Sequence, residues 1–298
     1  ALQGLQHSNK AALNIRLNEN YKAKPFGEVE LAAGGAPFIY SGKAIATLLT
    51  RKVQNISIAK ASNTLGNLIS ELDEKIDMSS RETYVPRLEN MIFPPQPKNI
   101  PLASNRHLFN DTYIGSTNTL YSLSEFEEIK INISHGRDLS SQNYILKNTF
   151  VAYPEDIIFT EKSKMKNNTN KSSIELQYKN NNPINYLTNK LSFTHGGNLA
   201  TSYINNDKRA LHLSNRSNSI NLQNIVQGVW QIKNRKLFQV YSTVRYVENM
   251  ENMDNIYDYT NLQETTDFMN EHVFSRQFLT KNGMKYSFGR DKNKFDIE

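Results

Sequence analysis

Few residues in this sequence have the type and spacing that catalysis or metal binding requires. The chain has no cysteine, which excludes a thiol nucleophile, a cysteine-ligated zinc and a disulfide framework. No two histidines stand at two- or four-residue spacing with a carboxylate as third partner, as a zinc site would need. The six histidines are His7, His107, His135, His195, His212 and His272. The sequence therefore predicts no catalytic residue, no metal site and no cofactor.

Two short motifs could have either a structural role or a catalytic one. His195-Gly196-Gly197 is similar to an esterase oxyanion loop, but no G-x-S-x-G nucleophile motif exists in the chain, so a turn is favoured. Glu28 and Glu30 share one face of a predicted strand and could form a general acid and base pair. A position on a water-exposed face of the sheet, or in contact with a plug that fills the space beside it, explains these two residues better. Neither motif predicts an enzyme.

The positive charge is concentrated in one polar stretch. The chain carries 35 Lys and Arg against 29 Asp and Glu, a net charge of +6. Lys162, Lys164, Lys166 and Lys171 surround an Asn-rich segment that we expect to be a loop at 163–171. Because no aromatic stacking platform accompanies it, we predict no nucleic-acid partner. A solvated loop and contact with anionic lipopolysaccharide both remain open.

The elements that would position these residues are β-strands. Apolar and polar residues alternate with a period of two, as along Ile129–Ile131–Ile133 with Lys130 and Asn132 between them. About thirteen stretches show this pattern, and no long helical period occurs. No run of about 18 apolar residues is present, so no transmembrane helix is predicted.

Strand length and connector length favour a membrane barrel. Many predicted strands have the roughly 9–11 residues that a tilted strand needs to cross a bilayer. Short connectors tend to alternate with long ones, as in a barrel with tight periplasmic turns and long extracellular loops. Aromatic residues often lie near predicted strand ends, where barrels carry aromatic girdles. They are Tyr144, Tyr153, Phe159, Tyr178, Tyr186, Phe193, Trp230, Phe238 and Tyr246. A soluble β-sandwich or β-solenoid for carbohydrate binding or adhesion is the alternative, and an enzyme is the third possibility.

Several stretches resemble the TonB-dependent receptor-like outer-membrane proteins of the Bacteroidota type. Residues 11–17 resemble the family's N-I-x-L-K strand, which leads from the plug into the barrel. Residues 26–34 resemble its first barrel strand, and 106–110 its R-y-l-f-N re-entry after the first long outer loop. Residues 129–134, and the hairpin through 178–181 and 187–191, are similar to later strands.

This resemblance implies a partial, all-β, antiparallel transmembrane β-barrel in the cell outer membrane, with about thirteen of 22 strands. Residues 1–22 would end the plug domain, and 23–298 would form the first part of the barrel. Its long extracellular loops would be 62–106, 196–219 and 249–263. Since unpaired strand edges are not tolerated against lipid, the chain needs the rest of its barrel.

The implied function is ligand binding and import, without catalysis, of a glycan, a peptide or a chelated metal. The implied partners are outer-membrane lipid and lipopolysaccharide, the remainder of the barrel and plug, a TonB-type energising protein and a surface lipoprotein. Alternation assigns one set of polar residues to the barrel lumen. These lumen-facing candidates are Glu28, Glu30, Lys130, Asn132, Glu175, Gln177, Lys190 and Arg245.

Overall fold

The chain folds almost entirely into β-strands. The computed structural model describes residues 25–36, 38–64, 68–74, 91–92, 109–151, 155, 157–206, 209–232, 236–259, 266–290 and 293–297. The predicted plug segment 1–22 lies outside the described residues. The strands are β1 (Pro25–Gly34), β2 (Ile39–Leu49), β3 (Val53–Ser62), β4 (Phe109–Ser122), β5 (Glu127–Phe150), β6 (Ile157–Asn181), β7 (Asn185–Asn206), β8 (Arg209–Ile232), β9 (Lys236–Tyr259), β10 (Thr266–Arg290) and β11 (Asn293–Ile297), and one short helix is α1 (Ser70–Glu74).

All eleven described strands form one sheet in the order of the sequence. Each strand pairs antiparallel with the strands before and after it. This strand order is that of an up-and-down barrel, and β1 and β11 are the two edges of the described sheet. The predicted all-β, antiparallel fold class is confirmed. A sandwich would have two packed layers and a solenoid parallel strands, and the described sheet has neither.

Five strands are much longer than the sequence pattern predicted. β5, β6, β8, β9 and β10 each contain 24 or 25 residues. Predicted pairs of short strands are joined into single strands here, as 129–134 and 143–152 are in β5. The described count is therefore eleven, where about thirteen were expected. At roughly 3.3 Å per residue, 24 residues extend about 80 Å, far more than the ~30 Å bilayer core.

Three predicted long loops are wrong for the same reason. Residues 163–171 lie inside β6, residues 196–219 lie in β7 and β8 except 207–208, and 249–259 of the predicted loop 249–263 belong to β9. His195-Gly196-Gly197 lies within β7 and is not a turn. These stretches are rich in Asn, Ser and Lys but contain no proline, so their backbone can stay in the ladder. Most of the predicted loop 62–106 lies outside the described residues.

Three of the four predicted short connections lie together at one end of the sheet, whereas the fourth, predicted at Pro154-Glu155, belongs to the β5–β6 connection at the opposite end. The predicted placement of all short connections on one side is therefore wrong for that position. β4 and β5 are joined by 123–126, β6 and β7 by 182–184, and β8 and β9 by 233–235. They lie at one end of the sheet because alternate connections of an antiparallel sheet share an end. In the part of the chain that the structure describes, no helix has the length and hydropathy to cross a bilayer.

Candidate functional site

The register of the ladder assigns each strand residue to one of two faces. Residues paired directly across neighbouring strands point to the same face, and faces alternate along each strand. One continuous row of pairs runs from Glu28 on β1 to Gln277 on β10. We call the face of this row the polar face and the opposite one the apolar face. The row is Glu28, Ile45, Ile58, Ser116, Ser134, Ser173, Thr194, Asn221, Val247 and Gln277.

Burial on the two faces is the reverse of that in a water-soluble sheet. Every buried polar or charged side chain of the described strands lies on the polar face, including Thr112, Gln142 and Asn215. On the apolar face large hydrophobic side chains are exposed. One row of six such residues crosses β5 to β10: Ile133, Ile174, Phe193, Leu222, Tyr246 and Phe278. Five of the six are between 37% and 68% exposed. The sheet therefore hides its polar groups and presents its apolar ones.

The exposed apolar residues form a band with defined limits. In β9 the apolar face carries Phe238, Val240, Val244 and Tyr246, a span of nine residues, which matches the ~9–11 residues of a bilayer-crossing strand. We call this zone the apolar band. It comprises Phe238 to Tyr246 on the apolar face of β9 and the residues paired at the same level on the other strands from β5 to β10. The next row is polar at most positions and contains His135, Ser172, His195, Glu248 and Arg276.

Aromatic residues mark both limits of the apolar band. Towards the short connections, Trp230 packs against Phe238 with ring centroids 6.1 Å apart. At the other limit, Tyr246 donates a hydrogen bond to Glu248, and Arg276 also donates to Glu248 at 3.0 Å. Of the nine aromatics predicted to form girdles, Tyr153 is outside the described residues. Tyr178, Phe193, Trp230, Phe238 and Tyr246 lie on the apolar face, whereas Tyr144, Phe159 and Tyr186 lie on the polar face.

The eight lumen-facing candidates all fall on the polar face. The pairs Lys130 with Gln177 and Asn132 with Glu175 link β5 to β6, and the pair Gln177 with Lys190 links β6 to β7. Arg245 lies on the same face of β9, opposite Gln223. Glu28 and Glu30 lie on this face of β1, four strands from β5. The shared face agrees with the alternation, and its contact with a lumen stays a prediction.

Five of these candidates form one cluster on β5 to β7. The Lys190 ammonium lies 2.7 Å from the Glu175 carboxylate, and the two side chains are only 15% and 11% exposed. The Asn132 amide donates a hydrogen bond to Glu175 at 3.0 Å, and the Gln177 amide donates to Thr188 at 3.2 Å. Opposite charges and hydrogen bonds thus partner the Glu175 carboxylate and the Lys190 ammonium, as low-dielectric surroundings require. The Asn132 Oδ1 atom is buried and accepts no hydrogen bond from the described residues.

The other candidates have separate partners. Glu30 lies 3.4 Å from the ammonium of Lys43 on β2, and more than half of its side chain is exposed. The Arg245 guanidinium donates a hydrogen bond to Asn221 of β8 at 3.0 Å. The structure therefore joins Lys130, Asn132, Glu175, Gln177 and Lys190 in one region, but it does not join Glu28, Glu30 or Arg245 to them.

The connection between β3 and β4 returns over the polar face. Ile69 and Leu72, beside and within α1, pack on Ile114 of β4 in a cluster of buried apolar side chains. A side chain at Gly136 of β5 would touch all three, because an added Cβ would lie 3.0–3.3 Å from their methyl and methylene groups. An ion pair of 2.6 Å joins Lys60 of β3 to Glu71. Gly136 thus permits the close approach of α1 to the sheet.

A second point of the same connection reaches β9. The Glu251 carboxylate accepts hydrogen bonds from the backbone N–H groups of Met91 and Ile92, at 3.3 and 2.7 Å. Glu251 is only 3% exposed, and it lies on the polar face five strands from β4. Beside α1, burial lowers the pKa of Lys171, which lies on this face beyond the apolar band. Parts of one connection therefore cover the polar face above the band.

Several residues of this covered region were missed in the sequence. Asp138 accepts hydrogen bonds from Thr112 and, at 3.2 Å, from Asn110. Gln142 is 1% exposed on the same strand. Asp138 and Gln142 keep the even numbering of Lys130 and Asn132 in β5, so extending the alternation past Ser134 would have found them. Glu251 had no local signal, because its partners are 159 and 160 residues away.

Within the described ranges, no three or more His, Asp or Glu side chains are grouped as metal binding would require. Histidine contacts are local: the His135 ring shares a hydrogen bond of 2.9 Å with Ser172, and the His212 ring packs on Tyr203 at 4.4 Å. These contacts hold neighbouring strands together on the apolar face beyond the band.

No family model matches the sequence, and no curated protein matches it. Among solved structures, the chain is similar to the ferric yersiniabactin uptake receptor FyuA from Yersinia pestis, with 10% identity and a TM-score of 0.49 over 89% of this chain and 40% of that one. It is also similar to the copper transporter OprC, with 6% identity and a TM-score of 0.27 over 91% of this chain and 43% of that one. The chain spans less than half the length of either protein.

Proposed function

We propose that this chain is part of an outer-membrane receptor that binds a ligand and imports it through a plugged barrel. The observation that carries the proposal is the reversed burial of the two faces. In water, each exposed Ile, Leu or Phe of the apolar band would forgo roughly 1.5–3 kcal/mol of burial free energy, and the patch would promote aggregation. Lipid around the band and water behind it remove both penalties.

The position within a barrel is part of the proposal. Residues 23–298 form its first part, and the free edges of β1 and β11 pair with further strands, because unpaired backbone groups are not stable against lipid. The remainder of the barrel, a plug preceding residue 23 and a TonB-type energising protein are the partners we expect. The polar face then lines the lumen, where its eight candidate residues lie.

The mode of action is binding without covalent chemistry. The cluster around Glu175 and Lys190 offers charged and amide groups to a polar ligand, while the connection held by Glu251 narrows the same space. A glycan, a peptide and a chelated metal all fit such a wall. The family we propose is the Bacteroidota type of TonB-dependent receptor, on the motifs at 11–17, 26–34 and 106–110, and a surface lipoprotein is a further expected partner.

Cell fractionation tests this proposal. We expect the intact protein to separate with the outer membrane, to need detergent for extraction, and to migrate faster on a gel when unheated than when boiled, because folded barrels resist dodecyl sulfate. A protein that is soluble without detergent and melts in a single sharp transition would refute the barrel and favour a soluble β-domain.

A further inference from the structure

Three lysines form a stripe on the apolar face of β6. Lys162, Lys164 and Lys166 stand at alternate positions, and all three are exposed. The expected loop at 163–171 would have scattered them, whereas the strand aligns them on one side and directs Lys171 to the other. Within the described part of the chain, none of the three forms a hydrogen bond or an ion pair. We call Lys162, Lys164 and Lys166 the lysine stripe.

The neighbours of the lysine stripe do not neutralise it. Its direct partners on β5 are Ile145, Asn143 and Ser141, and those on β7 are Asn205, Tyr203 and Thr201. None of these six residues carries a negative charge. On the same face, Asp111 is two strands away on β4 and accepts a hydrogen bond from Tyr40. Among the described residues, the stripe therefore presents positive charge without a neighbouring counter-charge.

The β9 and β10 side of the sheet differs. There Glu248 is paired with Arg276 at 3.0 Å, and Asp254 accepts a hydrogen bond from Asn270 at 2.6 Å. On the apolar face beyond the band, positive charge is thus concentrated on β6 and its neighbour β5, which carries Arg137, while Arg216 is a further exposed cation on β8. A cluster of this kind is the arrangement expected of a binding surface for a localised anion.

The height of the lysine stripe above the apolar band limits its partner. Lys166 is eight residues and Lys162 twelve residues beyond Ile174, the last apolar position of the band on β6. At about 3.3 Å per residue and a tilt of about 40–45°, this places the stripe roughly 19–30 Å above the band. Phospholipid headgroups extend only about 5–8 Å beyond the hydrocarbon core. Only a lipid with a long anionic headgroup reaches this level.

We propose that the lysine stripe binds the acidic sugars and phosphates of an anionic glycolipid whose acyl chains contact the apolar band. The inference rests on the proposed function, since it requires the band to lie in a bilayer. Charge complementarity and the continuous surface from Ile174 to Lys162 identify the occupant. Bound in this way, the glycolipid would fix the orientation of the extended strands above the membrane.

Two triple variants of the intact protein in detergent test the proposal. The first, K162Q/K164Q/K166Q, removes the charge, and the second, K162R/K164R/K166R, retains it as a matched control. The probes are fluorescent lipopolysaccharide with a phosphorylated core and lipid A alone. Each basic residue near an anionic surface contributes on the order of 1 kcal/mol, about fivefold in affinity. We expect the Gln variant to bind the core-containing probe at least tenfold more weakly at 0.15 M salt, and the Arg variant to bind within twofold of the wild type.

Lipid A should bind the wild type and the Gln variant equally, because its phosphates lie too low to reach the stripe. Equal binding of the core-containing probe by the Gln variant would overturn the inference, as would an equal loss of lipid A binding. These outcomes differ from failure of the proposed function. In that case the wild type itself would need no detergent and show no heat-modifiable mobility.

Discussion

At the scale of single residues, two ion pairs on the polar face differ in their burial. Glu175 of β6 and Lys190 of β7 form an ion pair from diagonal positions, and Asn132 donates to the same carboxylate. A similar pair, Lys179 with Glu128 at 2.8 Å, lies on the same face but is about one-third exposed. Because water screens the second pair and not the first, the two should contribute differently to stability.

Replacing Lys190 by Ala should destabilise the folded protein by about 2–3 kcal/mol, because Glu175 is left buried without its counter-charge. Replacing Lys179 by Ala should cost about 1 kcal/mol or less. Unfolding by guanidinium in detergent measures both. Restoration of part of the loss in E175Q/K190A would identify the stranded charge as the cause, and equal effects of the two single changes would contradict the difference in burial.

Neighbouring residues on β5 should also respond in opposite ways to a charge. Ile133 lies in the apolar band and Ser134 on the polar face. Ile133→Lys should cost about 2–4 kcal/mol, as charges at the lipid face of barrels do. Ser134→Lys should cost less than about 1 kcal/mol, because the lumen is wet. Refolding yield and unfolding free energy in lipid vesicles check the pair, and a larger loss from Ser134→Lys would reverse the assignment of faces.

At the scale of elements, the sequence predicted strand identity and facing but not strand length. The eight lumen-facing candidates could be assigned because period-two alternation is local and needs no tertiary information. The extents of β6 to β9 could not, because their polar halves lack an apolar face and contain the Asn, Ser and Lys typical of loops. Those halves are strands because each has partners on both sides.

The packing of α1 on the polar face could not be predicted either. The spacing of Ile69 and Leu72 is too short to predict a helix, and their contact with Gly136 depends on residues that are distant in sequence. The Glu251 contact with Met91 and Ile92 is likewise long-range. Such contacts join segments that are distant in the sequence, and no local pattern reports them.

The contact of α1 with the sheet can be tested by thiol reactivity, since the natural chain has no cysteine. A cysteine replacing Leu72, which is 2% exposed, should react slowly with a water-soluble maleimide. Adding Gly136→Leu should raise its rate at least tenfold, because the new side chain occupies the space of Leu72. Ser70→Cys, at an exposed position, is the control and should react quickly in both backgrounds. A fast Leu72→Cys without the second change would show that α1 does not pack here.

At the scale of the whole molecule, the proposed receptor would place one sheet between lipid on its apolar face and water on its polar face. Its apolar band is about nine residues high on β9, whereas β5, β6 and β8 to β10 continue well beyond it. In the proposed receptor, the strands would cross the bilayer with part of their length and form a wall above it with the rest. Two described parts of the β3–β4 connection, 68–74 and 91–92, contact the polar face of that extended region.

The two free edges are the second feature at this scale. β1 and β11 each have a single described neighbour. We expect the intact protein to be resistant to protease at β1 when embedded in membranes, because further strands cover its outer edge. The chain from residue 25 to 298 expressed by itself should be cleaved there and should not insert stably. Equal protease resistance of the two would show that the edges need no partner.

The central claim, lipid on one face and water on the other, is tested most directly by a cysteine scan along β5. Single cysteines at 129 to 142 in the membrane-embedded intact protein would be labelled with a fluorophore and exposed to spin-labelled lipid and to a water-soluble quencher. We predict that lipid quenches positions 129, 131 and 133 and that water-soluble quencher reaches positions 130, 132 and 134. Lipid quenching should end at 135, where the first polar row begins. Quenching by lipid at the even positions, or equal quenching along the whole series, would contradict the account.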